Sequence, residues 1–293
     1  MKFEEIKVVS VFGAGIMGHG IAQLMALAGY HVFLRDMTPE LLDTGLNSIK
    51  KSLKKSVEKN VITQDQSQET LSRIKTTTDM EEAAKTADFL VEAIPEKIDL
   101  KKECFKQLDR LSKDGAILAS NTSTLSITEI ASVTKSPENV IGMHFFNPPV
   151  LMRLVEIIKG LLTSNETLDA TRKIISKLGK ELIVVEDSPG FATSRLGVAQ
   201  YLEASRMLEE GVASIEDIDK GMKLGFGHRM GPFETADLVG LDARLNNLNA
   251  LYDSTRDPFW KAPLLLKKLV MAGYIGTKPG SKGGYYTYFG IKK

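Results

Sequence analysis

Near the N-terminus, "VVSVFGAGIMGHGIAQLMALAGYHVFLRD" sets Gly13, Gly15 and Gly18 between a β-branched run and a helical pattern, and a second strand-like run ends at Asp36. Few folds accommodate that order. Gly13 permits a tight turn, Gly15 lets the backbone approach a ligand, and Gly18 lets the helix pack close to the strand. The turn Gly13, Ala14, Gly15, Ile16, Met17, Gly18 opens a helix whose unpaired N–H groups and partial positive charge suit a pyrophosphate. A carboxylate at Asp36 accepts hydrogen bonds from ribose hydroxyls and repels a 2′-phosphate, which favours NAD over NADP. The segment is predicted to be the first βαβ unit of a Rossmann-type sheet.

The alternation continues to about residue 186. Strands are predicted at Ile6–Phe12, His31–Arg35, Ile74–Thr78, Phe89–Ala93, Ala116–Ala119, Val140–His144, Leu154–Ile158 and Leu182–Glu186, with helices such as Ile16–Ala28 and Asp99–Leu111 between them. This is the pattern of an α/β, doubly wound and mainly parallel sheet. Only a short loop separates Val140 from Ile158, so the last part of the sheet is expected to be antiparallel. Beyond "DSPGF" the remaining chain reads as helices, "RLGVAQYLEASRMLEEG", "SIEDIDKGMKLG", "LDARLNNLNALYD" and "PLLLKKLVMAG", with Ser214 and Gly221 as cap and breaker. Two domains are expected: residues 1–187, and an all-helical 188–293 that completes the substrate site. Its Leu- and Met-rich stripes suit a homodimer interface, although burial against the first domain would produce the same stripes.

With 293 residues the chain can bury such cores without disulfides or metals, and its one cysteine, Cys104, cannot form an internal disulfide. A cytoplasmic protein is expected, beginning within its mature fold, since "MKFEE" lacks a basic leader start. Its 38 basic and 37 acidic residues argue against nucleic acid as a partner, and no apolar run is long enough for a membrane span. No HExxH pattern or Cys/His cluster points to a metal.

The stretch "GMHFFNPPV" places His144 at the end of a predicted strand, on the sheet edge where doubly wound folds bind ligands. An imidazole there suits the general base that an alcohol oxidation by NAD requires. Glu156, in "RLVEIIKG", is a charged residue in an apolar strand, and a hairpin through "NPPVLM" would bring it beside His144 to orient the ring. The rival reading has His144 bonded inside the core and Glu156 paired with Arg153 or Lys159. His19, His31 and His228 lie in poorer contexts for a base: the glycine turn, a strand start and a glycine-rich loop.

Taken together, "VFGAGIMGHGIA", "VEAIPEKIDLKKECF", "LASNTSTLSITEIA", "IGMHFFNPPVLMRLVEII", "DSPGF" and "GPFETADLVGLD" resemble the L-3-hydroxyacyl-CoA dehydrogenases over nearly the whole chain, most closely the bacterial type acting on 3-hydroxybutyryl-CoA. The resemblance implies an NAD-dependent interconversion of (S)-3-hydroxyacyl-CoA and 3-oxoacyl-CoA, a step in fatty acid and butyrate metabolism. It makes His144 the base, Glu156 its orienting acid, and Ser123 and Asn147 the groups holding substrate oxygen and nicotinamide. Glu96, Lys101 and Lys278 would lie at the cofactor. The lysine-rich "SIKKSLKKSVEKN" (Ser48–Asn60) is a solvated face on composition alone; the resemblance turns it into an arm meeting coenzyme A through Ser52 and Lys59. One departure concerns substrate geometry: "SPGFATSR" has Ser194 where many members carry Asn, and serine reaches less far. Relatives with the same glycine turn and His–Glu pair act on free hydroxy acids such as L-gulonate or serve as crystallin-like NAD-binding proteins. Coenzyme A dependence and turnover separate these readings.

Overall fold

The computed structural model describes residues 3–291. The chain forms two compact units, the first ending at Ser188 and the second beginning at Pro189. In the first, β1 (Val8–Phe12), β2 (His31–Arg35), β3 (Ile74–Thr77), β4 (Phe89–Glu92), β5 (Ile117–Ser120), β6 (Val140–Phe145), β7 (Leu154–Lys159) and β8 (Glu181–Glu186) make one sheet. Their order is β3-β2-β1-β4-β5-β6-β7-β8. The expected doubly wound sheet is present, with strand ends shifted by no more than two residues.

The first six strands are all parallel to one another. The β6–β7 pair is antiparallel because a short proline-containing loop can only join strands running in opposite directions. β8 is parallel to β7, not a further antiparallel strand, because α7 (Asn165–Lys177) crosses over between them. The order reverses at β1, which pairs with both β2 and β4. Such a switch leaves a crevice beyond the carboxyl ends of the strands. β4, β5 and β6 are buried on both faces, which their near-continuous apolar sequence requires.

The other helices of this unit are α1 (Ile16–Leu27), α2 (Pro39–Glu58), α3 (Gln64–Ser72), α4 (Met80–Lys85), α5 (Ile98–Leu111) and α6 (Ile127–Ala131). The basic segment expected at Ser48–Asn60 is the second half of α2. That helix starts earlier because Thr38 caps it and Pro39 occupies its first turn. Leu42, Gly45, Ile49 and Leu53 form its buried stripe, and Lys50, Lys51, Lys54 and Lys55 are exposed. Gly45 is required: a Cβ there would lie 2.8 Å from the Ala14 carbonyl oxygen, so its absence lets α2 rest on the glycine turn.

The second unit contains α8 (Thr193–Glu209), α9 (Ile215–Phe226), α10 (Pro232–Val239), α11 (Leu241–Thr255), α12 (Leu264–Met271) and α13 (Tyr285–Tyr288) around Tyr201, Leu202, Phe233, Leu248, Trp260 and Tyr285. Ser214 caps α9 as expected. Gly221 is not a breaker: it lies inside α9, and Gly227, at φ 71°, ends the helix in the left-handed conformation.

Asp219, fully buried, accepts from the backbone N–H groups of Phe233 and Glu234, both at 2.8 Å, and from the Tyr286 hydroxyl at 2.9 Å. It thus ties α9 to the start of α10 and to α13. Burial pushes its carboxyl above the ordinary aspartate range, and the three hydrogen bonds only partly oppose this. Asp219→Ala removes all three bonds and leaves buried donors behind. It is expected to destabilise the protein by about 2–4 kcal/mol, measured by urea unfolding followed through tyrosine and tryptophan fluorescence.

Candidate active site

Five strand ends deliver the predicted residues to one edge of the first unit. β1 leads into the glycine turn, β2 into Asp36, β4 into Glu96, β5 into Ser123 and β6 carries His144. Gly13 has φ 105°, and a Cβ on it would lie 2.6 Å from the Ala93 carbonyl oxygen. A Cβ on Gly18 would lie 1.7 Å from the Gly13 carbonyl oxygen. Both glycines are demanded by the protein itself. Gly15 is different, because nothing lies within 4 Å of a Cβ placed there. The space over it is open and adjoins the start of α1, which no side chain caps and whose first turn holds no acid. This cradle fits a diphosphate. Asp36 accepts from the backbone N–H groups of Ala14 and Met37, each at 2.6 Å, so the carboxylate is fixed beside the turn.

Next to it lies a buried ionic network. Glu92, the last residue of β4, is fully buried; it accepts from Lys101 Nζ at 2.6 Å, Ser120 Oγ at 2.6 Å and the Ile94 N–H at 2.8 Å. Lys101, 1% exposed, also lies 3.2 Å from Glu96. Glu96 Oε1 accepts from Thr122 Oγ1 at 2.6 Å, the Ser123 N–H at 2.8 Å and Ser123 Oγ at 3.2 Å. Burial pushes the Glu96 carboxyl up, but the Lys101 ammonium and the bonds from Thr122 and Ser123 outweigh it and hold it below the ordinary range. Glu96 therefore sets the Ser123 loop, and Lys101 sets Glu96. The ammonium expected at the cofactor is directed into the protein.

His144 and Glu156 are direct partners in the β6–β7 register. Side chains of such a pair share a face of the sheet. His144 Nδ1 lies 3.0 Å from Glu156 Oε2, with the carboxylate fully buried and the histidine 7% exposed. An ionised carboxylate only accepts, so Nδ1 carries the hydrogen, and Nε2 is the basic atom of the neutral ring. Phe146 packs against the imidazole at 4.7 Å between ring centroids. Arg153 pairs with Glu181 at 3.7 Å. The Asn121 side chain accepts from the Phe145 N–H at 2.9 Å and joins the β5 loop to the end of β6.

Asn147 is exposed after β6. Ser52 is half-buried on α2, and Lys59 is exposed at its C-terminus. His19 lies within α1, half-buried, and not in the turn before it. In the second unit Ser194 is in the first turn of α8, and Lys278 Nζ lies 2.6 Å from Asp242. Sequence reasoning missed Glu92, Ser120 and Asn121. The available signal was a glutamate ending a strand otherwise wholly apolar, followed at the next strand end by "SN".

The family model described as "3-hydroxyacyl-CoA dehydrogenase, NAD binding domain" matches residues 8–188, and the model for the C-terminal domain of the same dehydrogenases matches residues 190–288. The chain is 45% identical to a probable 3-hydroxybutyryl-CoA dehydrogenase of Bacillus subtilis, over 97% of this chain and 98% of the relative. It is 41% identical to human mitochondrial hydroxyacyl-coenzyme A dehydrogenase, over 97% and 91%. A crystal structure of (S)-3-hydroxybutyryl-CoA dehydrogenase from Ralstonia eutropha is similar at a TM-score of 0.92 and 41% identity, covering 96% of this chain and 99% of that one.

The two kinds of glycine give a contrast. Gly15→Ala is expected to keep the melting temperature within a few degrees while weakening NADH binding about tenfold or more, by fluorescence titration. Gly18→Ala is expected to lower both, because its methyl meets backbone. For Glu96 the folded-state value is depressed, so its contribution to stability is complete above the ordinary glutamate range and is lost as pH falls through the lower folded value. The stability difference between wild type and Glu96→Gln is therefore expected to be full at neutral pH and to shrink on acidification, in urea titrations run at a series of pH values.

Proposed function

The chain belongs to the 3-hydroxyacyl-CoA dehydrogenase family and is an NAD-dependent oxidoreductase; from that premise we propose that it interconverts (S)-3-hydroxybutyryl-CoA and acetoacetyl-CoA, with His144 as the base and Glu156 as its orienting acid. The observation that carries this reading is the 3.0 Å contact between His144 Nδ1 and a fully buried Glu156 in direct strand register. Bound NAD would supply the acceptor, or as NADH the donor, of the hydride exchanged at the substrate's C3. The residues suited to hold it are the Gly13–Gly18 turn, Asp36 and Asn147, with Glu96 and Lys101 supporting the neighbouring loop.

His144 Nε2 takes the hydroxyl proton as the alcohol is oxidised and gives it back in the reverse direction. Glu156 keeps the ring in the required tautomer and stabilises the imidazolium while the proton is held. Because Glu156 is part of β7, the ring is oriented by sheet pairing. Ser123 offers a hydroxyl to the substrate oxygen from a loop that Glu96 fixes. For Ser194 and Lys278 the family resemblance implies roles at the acyl portion and at the cofactor.

The exposed lysines of α2, with Ser52 and Lys59, suit the phosphates of coenzyme A. Exposed Leu196, Leu224, Phe226 and Leu238 on the helical unit support a homodimer through it. The lone Cys104 is buried, and burial pushes its thiol up to about 12, which fits a protein that works reduced in the cytoplasm.

His144→Ala and Glu156→Gln are each expected to lower kcat by about 10²–10⁴ while NADH titrations stay near wild type. The assay is NADH oxidation with acetoacetyl-CoA, set beside free acetoacetate and dehydrogulonate. Near-normal turnover in both variants, or equal rates on the free acids, would refute the assignment.

A further inference from the structure

The loop from Phe146 to Arg153 joins β6 to β7 and begins two residues after His144. It carries Asn147, assigned above to the cofactor. Its sequence gives it few means of holding its own shape. The β6–β7 register ends at Phe145 and Val155, and Pro148 and Pro149 have no N–H to donate. The Pro148 carbonyl accepts from the N–H groups of Leu151 and Met152, both at 3.0 Å, which makes a single helical turn. The chain then leaves for β7, so no following turn serves the carbonyls of Pro149, Val150 and Met152.

Lys180 meets all three. Its Nζ donates to the carbonyl oxygens of Pro149 at 2.9 Å, Val150 at 3.3 Å and Met152 at 2.7 Å. An ammonium has three N–H donors, so the set is complete. The sheet brings the residue there: Glu181 pairs with Leu154 in the parallel β7–β8 register and its N–H donates to the Arg153 carbonyl at 2.9 Å, which sets Lys180 beside the end of the loop. Burial pushes its amine below the ordinary lysine value, so the ammonium is partly withdrawn from water and bound to the chain.

The loop also rests on α1. A Cβ at Gly20 would lie 3.0 Å from two carbons of the Pro149 ring, so that buried ring sits against bare helix backbone. Gly20 is two residues beyond Gly18, on the helix whose first turn forms the diphosphate cradle. Pro149 is thus held at its ring by α1 and at its carbonyl by Lys180, and Asn147 stands two residues before it.

We propose that Lys180 is a positioning residue for the reaction: its three bonds to the loop fix Asn147 relative to the diphosphate cradle, so that the nicotinamide end of NAD meets the loop in the orientation hydride transfer needs. The inference rests on the role given to Asn147 above. Lys180 touches neither substrate nor cofactor; it acts through the backbone of the loop. Three oxygens converging on one atom select an ammonium, because the planar guanidinium of arginine spreads its donors within one plane.

The test separates the two ends of the cofactor. Dissociation constants of NADH and of ADP-ribose, which has the diphosphate and lacks the nicotinamide, are measured for full-length wild type, Lys180→Met, Asn147→Ala and the double variant, together with kcat on acetoacetyl-CoA. Lys180→Met is expected to weaken NADH about 5- to 30-fold and to lower kcat about 10- to 100-fold, with ADP-ribose within about twofold of wild type. Added to Asn147→Ala, it is expected to weaken NADH by less than about twofold more, since both changes act on one contact. Lys180→Arg is expected to fall between wild type and Lys180→Met, and it carries the comparison if Lys180→Met does not fold. Equal weakening of NADH and ADP-ribose in a folded variant overturns the proposal, as do NADH binding and kcat left at wild-type values. So does a loss that adds in full to that of Asn147→Ala. If Asn147→Ala itself leaves NADH binding and kcat unaltered, the parent role of Asn147 is rejected and the proposal with it.

Discussion

A buried ammonium organises the edge of the sheet where the candidate site lies. Lys101 reaches from α5 to Glu92 at the end of β4 and to Glu96 in the loop beyond it, and Ser120 on β5 completes the shell of Glu92. Replacing such a pair with apolar residues is often neutral or stabilising, so its presence is weak evidence about stability. What it fixes is position. With its lone pairs taken by Lys101, Ser120 and a backbone N–H, Glu92 permits few arrangements of the neighbouring loops, and Glu96 and Ser123 inherit that constraint.

The second constraint is sheet register. A slip of one residue between β6 and β7 would turn Glu156 to the opposite face and leave a carboxylate in the core without His144. That unpaired buried charge disfavours the slip, because both strands are buried on each face and their apolar residues alone leave the register open. The contact between Glu156 and His144 thus both holds the register and sets the geometry of the histidine. The glycine turn follows the same logic, since the close approach of Gly18 to Gly13 that brings α1 against the sheet also leaves the first turn of α1 open over Gly15.

The helical unit relies on buried acids as caps. Asp219, from α9, and Asp237, from α10, satisfy N-terminal amides of α10 and α13 respectively. These carboxylates spend their burial on backbone donors. Arg244 stands apart in the same unit as a buried cation with no carboxylate partner among the described residues.

Most of the fold was legible because its signals are local. Strand periodicity, the glycine spacing, the cap at Ser214 and the short Val140–Ile158 connection each act over a few residues, and they fixed eight strands, the first turn and the pairing of His144 with Glu156. Lys101 and Arg244 were harder. Each stands on an otherwise apolar helical stripe, with Cys104, Phe105 and Leu108 in one case and Leu241, Leu248 and Leu251 in the other, which betrays burial. The stripe says nothing of partners, because those come from other elements: Glu92 on β4 for the lysine, Tyr201 and Gly197 on α8 for the arginine. By itself the sequence determined which elements form and which face each one buries, since both follow from short-range periodicity and steric limits. Tertiary packing alone decided which buried charges meet an opposite charge, because that depends on where residues far apart in the chain are brought together.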